Sequence, residues 1–206
     1  MKTLKNINQL ISINTSIKIL LNEEMINELY VKIKNIDIIL KKLFDSKIEF
    51  DVELVKSWLD NRNFKPELLF RKTRDGSSVN DFHNKCDNKG ITITFIETYK
   101  GYKFGGYTEL QWDKSGYKKD KSTFIFSFNN KEKYIARNNN NTICCNGIEG
   151  PTFGCHFPEI YFDKTLNKGR TYDSKENNTF LNGRKLTNGE EFWNVKELEV
   201  FKINYI

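Results

Sequence analysis

Apolar residues in the N-terminal part of the chain recur every three or four positions. Ile26, Leu29, Ile33, Ile36, Leu40 and Leu43 make one such stripe, the spacing that lines a single face of a helix. Leu10, Ile13, Ile17 and Leu20 repeat the spacing in another register, which predicts a break near Asn22. The segment has no Gly, Pro or Trp and is bounded here at residues 1–45. Two arrangements fit it: a helix or helical pair folded onto a domain, or a coiled-coil arm through which copies of the chain associate.

A short helix is predicted over IEFDVELVKSWLD, with Val52, Val55 and Leu59 on one face and Asp51 as its cap. Phe64-Lys65-Pro66 ends it, and Leu68, Leu69 and Phe70 open a strand. From there the period changes from helical to alternating. ITITFIE (91–97) sets Ile91, Ile93 and Phe95 against Thr92 and Thr94, and TFIFSF (123–128) puts Phe124, Phe126 and Phe128 on one face. EIYF (159–162) and LEVFKI (198–203) are two further strands. Turn signals at Lys100-Gly101, Gly105-Gly106, Ser115-Gly116, Asn129-Asn130, Asn182-Gly183 and Asn188-Gly189 separate these runs. Asn138–Asn141 reads as a polar loop. The pattern predicts a mainly β, α+β chain: a two-sheet antiparallel β-sandwich with peripheral helices over residues 46–206, preceded by the helical segment.

Composition narrows the function classes. The chain of 206 residues is long enough to bury a core without disulfides, and its 16 Phe suit a β-rich interior. No run approaches the ~18 apolar residues of a membrane span, and the N-terminus has no signal-peptide pattern. The four Cys at 86, 144, 145 and 155 make no disulfide framework for this length, which gives a reduced, cytoplasmic chain, with the nucleus as the other expected compartment. Its net charge of +6 is compatible with acidic partners without requiring them.

The stretch RDGSSVNDFHNKCDNKG (74–90) concentrates the candidate chemistry. Arg74-Asp75-Gly76 reads as a turn, and Ser78 with Asp81 as a capping box for a helix that runs through Cys86 and stops before Gly90. Val79, Phe82, His83 and Cys86 share one face of that helix. A thiolate activated by His83, or a zinc site, is one interpretation, but one H-x-x-C supplies too few ligands for zinc. A thiol near a helix C-terminus is also raised in pKa by the dipole. A buried His and Cys on a core-facing helix is the reading favoured here, with no catalytic, metal or cofactor residue assigned.

LLFRKTRDGSSVNDFHNKCDNKGITITFIE, GYKFGGYTELQW, SGYKKDKSTFIFSF, GPTFG, EIYF and ELEVF follow one another in the order of the TLDc domain, which residues 50–206 resemble. The resemblance implies a β-sandwich associated with resistance to oxidative stress. It also implies an interaction module that binds and regulates the vacuolar proton-pumping ATPase, with that pump's peripheral subunits as partners; no general reaction is established for the family, although catalysis has been suggested for it. Matched position by position, the framework residues are Asp75, Gly76, Phe82, Cys86, Gly90, Gly105, Gly106, Gly150, Pro151, Phe153, Gly154 and Glu199. Gly105-Gly106, between Phe104 and Tyr107, permits a bulge or a close backbone approach, and Glu199 is expected to be held by backbone amides near Arg74-Asp75-Gly76. CHFPEI after GPTFG, and the stretch GRTYDSKENNTFLNGRKL, depart from the family pattern.

Two alternatives stay open. One is a nucleic-acid-binding stress regulator using a basic patch of Arg71, Lys72, Arg74, Lys114, Lys118, Lys119 and Lys121 with Trp112 and Tyr117 nearby. The other is an antioxidant enzyme using Cys86 or Glu199, for which Glu199 would need an open cleft beside Gly76 and Ser77. Self-association through the N-terminal helix is a further expectation.

Overall fold

The structure is a computed structural model and describes residues 22–32, 44–137, 141–156, 158–162, 164–172, 179–180 and 183–206. The chain divides into two compact units, Met1–Lys42 and Leu43–Ile206. In the first, residues 22–32 are helical and every one of them is exposed. Asn22 is itself helical; the stripe at Leu10, Ile13, Ile17 and Leu20, and the stripe positions Ile33, Ile36, Leu40 and Leu43, lie outside the described residues. Glu28 and Lys32 pair one turn apart at 2.7 Å.

The second unit is built on strands. In chain order these are β1 (Phe64–Arg71), β2 (Thr92–Thr98), β3 (Lys103–Thr108), β4 (Gly116–Lys118), β5 (Phe124–Ser127), β6 (Glu132–Ile135), β7 (Ile143–Cys145), β8 (Thr152–Phe153), β9 (Tyr161–Phe162), β10 (Lys168–Arg170) and β11 (Phe192–Tyr205). Among the described residues three α-helices accompany them, α1 (Val52–Trp58), α2 (Lys72–Asp75) and α3 (Val79–Cys86), with one 3-10 helix at Gly183–Thr187. An eight-stranded sheet runs β6-β5-β3-β2-β11-β10-β9, with β1 also paired to β11, and a three-stranded sheet runs β4-β7-β8. Every pairing is antiparallel. The mainly β architecture of two antiparallel sheets with few helices is the one the alternating segments predict.

β11 is the spine. Its 14 residues pair β2 along one edge and, in succession, β10 and β1 along the other. Its two faces differ as period two requires. Leu198 and Val200 enter the core that contains Phe70, Phe82, Phe153 and Phe162. Glu197, Glu199, Phe201 and Ile203 face the other way, and all four are buried.

That second face is covered by the stretch from Phe44 to α1, which lies across the sheet as a strap. Phe44 packs on Phe50, Phe64, Phe95 and Phe201, with ring centroids 5.1–5.8 Å apart. Trp58 of α1 packs on Phe126 and Phe128. The alternation of Phe124, Phe126 and Phe128 therefore buries an aromatic row beneath the strap. Ile125, on the opposite face of β5, joins the other core.

Three local expectations are corrected. The strand predicted from Leu68 begins at Phe64 and contains Pro66. Among the described residues β1 pairs only with β11, and an edge strand tolerates a residue without an N–H. Gly105-Gly106, read as a turn signal, lies in the middle of β3, between β2 and β5. The reason is space: a Cβ on Gly105 would run into the Thr94 carbonyl oxygen and come within 2.7 Å of Phe126 Cζ, and one on Gly106 would come within 2.5 Å of the Phe153 ring. Strand EIYF shortens to Tyr161–Phe162, with Ile160 bridging Phe153. Of the polar loop, 138–140 lies outside the described residues, as does Asn182 of the predicted turn at 182–183.

Candidate functional site

The framework carboxylates Asp75 and Glu199 share one corner, where the strap, the end of β1, α2 and β11 meet. A bulge builds it. Leu68 pairs with Phe201, but Phe70 pairs with Val200, so Leu69 is an extra residue and Arg71 falls opposite Glu199. In the unbulged register Arg71 would face Leu198 instead. The bulge thus brings a guanidinium to a carboxylate, a known use of such features.

Glu199 has no exposure and both of its oxygens are occupied. Arg71 Nε donates to Oε1 at 2.6 Å, and the Lys47 amide donates to the same oxygen at 3.0 Å. The Ser46 hydroxyl donates to Oε2. Arg71 Nη2 donates to the Asp45 carbonyl. The expectation that amides of residues 74–76 hold Glu199 is corrected: the strap and Arg71 hold it. The carboxylate that receives an amide from this region is Glu197, which takes the Thr73 N–H at 3.1 Å and the Thr73 hydroxyl at 2.5 Å. The two glutamates therefore clasp β11 to the strap and to α2 respectively.

Asp75 completes the corner. It accepts the Arg71 amide at 2.8 Å and the Arg74 Nε and Nη2 groups at 2.9 and 2.7 Å. The bonds from Arg74 hold its carboxyl below the usual range. Gly76 follows at φ 119°, and a Cβ there would strike the Asp81 carboxylate, which caps α3. Ser78 and Asp81 form the predicted capping box, with bonds of 3.1 Å and 2.9 Å.

On α3 the predicted face is buried: Val79, Phe82, His83 and Cys86. His83 Nδ1 lies 2.7 Å from Asp87 Oδ1, and Nε2 lies 3.2 and 3.1 Å from the Asn146 and Glu149 carbonyls. Every partner is an acceptor oxygen, so both ring nitrogens are engaged. No ring nitrogen is left to activate Cys86. Burial pushes the Cys86 thiol well above its ordinary value. It does the same for Cys144, up to about 12, Cys145, up to about 11, and Cys155. All four cysteines are free and buried, and no metal-binding group of His, Cys, Asp and Glu occurs among the described residues.

Of the remaining framework residues, Phe82 and Phe153 pack in the core. Phe82 and Phe153 each meet Trp112 edge to face, at 5.7 and 5.5 Å. Gly150 lies against Phe162 and Leu166, and Gly154, at φ 103°, lies against Glu159. Pro151 follows Gly150 in the turn into β8, and Gly90, at φ 82°, lies in the loop before β2.

The basic residues divide between two places. Arg71 is buried on Glu199, Arg74 is bound to Asp75, and Lys72 Nζ donates to the Val195 carbonyl at 3.3 Å. In and around β4, Lys118 is held by Asp113 at 2.5 Å, whereas Lys114, Lys119 and Lys121 are exposed.

Within the lysine loop lies a residue that the sequence reading passed over. Asp120 accepts five donors: Thr108 Oγ1, the Glu109 amide and Thr123 Oγ1 on Oδ2, and the Ser122 amide and hydroxyl on Oδ1, at 2.6–3.1 Å. Its half-burial opposes ionisation, but these bonds outweigh it and keep the carboxyl below its ordinary value. The signal was an Asp followed two and three positions later by Ser and Thr, an Asx-turn pattern hidden among lysines.

Because the native pKa of Asp75 and Asp120 is depressed, their stabilisation is present above the unfolded value near pH 4. It is lost as the pH falls through and below that value. Asp120→Asn, which turns an NH2 group toward N–H and O–H donors, is expected to cost about 1.5–3 kcal/mol in urea unfolding. It should also flatten the acid limb of the stability–pH curve.

The chain matches the TLDc-domain family over residues 15–204, and it belongs to that family. No curated protein matches it. No helix among the described residues is long and apolar enough to cross a membrane.

Proposed function

We propose that this chain is a non-catalytic interaction module of the oxidative-stress response, acting in the cytoplasm by binding the peripheral subunits of the vacuolar proton-pumping ATPase and so regulating that pump. The observation that carries the reading is the corner around Glu199. The side chains best suited to chemistry are used to clasp the fold: Glu199 on Arg71, Glu197 on Thr73, His83 on three acceptors. What this leaves for function is the exterior of a rigid sandwich, and family membership supplies the expected partner. The nucleic-acid alternative would rest on Lys114, Lys119 and Lys121, since Arg71, Arg74 and Lys118 are paired with carboxylates.

The test is direct binding between purified full chain and isolated peripheral subunits of the pump, with and without nucleotide. Saturable binding to at least one subunit is expected. A folded chain that binds none of them under either condition contradicts the proposal.

A further inference from the structure

Within the described helix at residues 22–32, the apolar residues of the stripe are exposed. Ile26 is 64% exposed and Leu29 58%, and Met25 and Tyr30 beside them are 66% and 65% exposed. Helices of this length are marginal in water unless their apolar face is packed.

The sequence specifies what could pack there. Counting from Ile26, the stripe falls on successive a and d positions of a heptad: Ile26, Ile33 and Leu40 at a, and Leu29, Ile36 and Leu43 at d. β-branched residues dominate a and Leu is prominent at d, the distribution that favours two parallel strands. The flanking positions discriminate further. Lys32 is a g position and Asp37 is the e position five residues on. In a parallel, in-register pair each Lys32 meets Asp37 of the other helix, twice by symmetry. Met25 at g likewise meets Tyr30 at e. An antiparallel pair places g beside g and e beside e, which sets Lys32 toward Lys32 and Asp37 toward Asp37.

We propose that the stripe beginning at Ile26 is a self-association surface whose occupant is the same stripe of a second copy, parallel and in register. The interaction domain is thereby presented as a pair.

The test uses the full chain in sedimentation equilibrium over a concentration series. The weight-average mass should rise from 24.3 kDa toward twice that value. Leu29→Glu should weaken association about 100-fold or more, while the thermal transition of residues 43–206 stays in place. Lys32→Glu should weaken it several-fold, and Lys32→Glu with Asp37→Lys should restore it, which loss of the Glu28–Lys32 pair alone would not allow. Leu29→Cys should form an intermolecular disulfide under mild oxidation, with the buried native cysteines silent, whereas Glu28→Cys on the outer face should not.

A chain that stays at single mass throughout overturns the proposal. So does a dimer that is indifferent to Leu29→Glu, or one that fails to cross-link through Leu29→Cys. A monomer whose thermal transition falls in Leu29→Glu would assign the stripe to a partner within its own chain, and that too overturns it. None of these outcomes bears on whether the domain binds the pump, so the two proposals fail separately.

Discussion

Replacing Glu199 by alanine is expected to cost about 3–5 kcal/mol of stability, because it strands the Arg71 guanidinium without its counter-charge in a buried site. Arg71 keeps only about a tenth of its side-chain surface, and Glu199 keeps none. The deletion also leaves the Lys47 amide and the Ser46 hydroxyl without their shared acceptor. The strap that covers Phe95 and Phe201 is tied at this point, so the loss should spread to the aromatic layer beneath it. A second substitution separates charge stranding from simple loss of packing. Arg71→Met with Glu199→Leu replaces the pair by apolar groups of similar reach and should recover most of the loss. Chemical unfolding of Arg71→Met, Glu199→Leu and the double variant closes the cycle, and a coupling of about 0.5–3 kcal/mol or more is expected. Additive costs would mean that the two side chains do not depend on each other.

Gly105→Ala is expected to be more damaging still, beyond about 4 kcal/mol, the range reserved for specific structural conflicts. The obstacle is backbone: the new methyl meets the Thr94 carbonyl oxygen across the β2–β3 ladder, with Phe126 behind it. Side chains can turn aside, but a strand in the middle of a sheet cannot move without breaking pairs on both edges. Gly106→Ala supplies the comparison. The nearest atoms its methyl meets belong to the Phe153 ring, at 2.5 Å, so part of the strain can relax through a side chain. Thermal melts of both variants should rank Gly105→Ala below Gly106→Ala. Equal losses would show that sheet separation is not the limiting conflict.

The parts of this fold that local chemistry dictates were legible in the sequence. Ser78 and Asp81 specify the start of α3, and the Phe124–Phe126–Phe128 alternation specifies a buried sheet face. Fixed spacing is what a sequence records. Features that depend on what lies across the sheet were not legible. Gly105-Gly106 carries the letters both of a turn and of a close backbone approach, and the nearness of Thr94 and Phe153 decides for the second, in the middle of a strand. Arg71 looked like a free cation until a one-residue bulge placed it opposite Glu199. The same holds for Asp120, whose five donors come from two separate stretches of chain. The short strands β4, β7, β8 and β10 have too few residues to show a period of two.

A docking function requires that the chemically capable side chains face inward, and Cys86 gives the most direct measurement. Its alkylation in the native protein, followed residue by residue by mass spectrometry across a range of reagent concentrations, should proceed no faster than global unfolding and should reach a plateau rate independent of reagent. A Cys86 that reacts rapidly, with a rate proportional to reagent while the fold is intact, would contradict the sealed interior from which the docking function is argued.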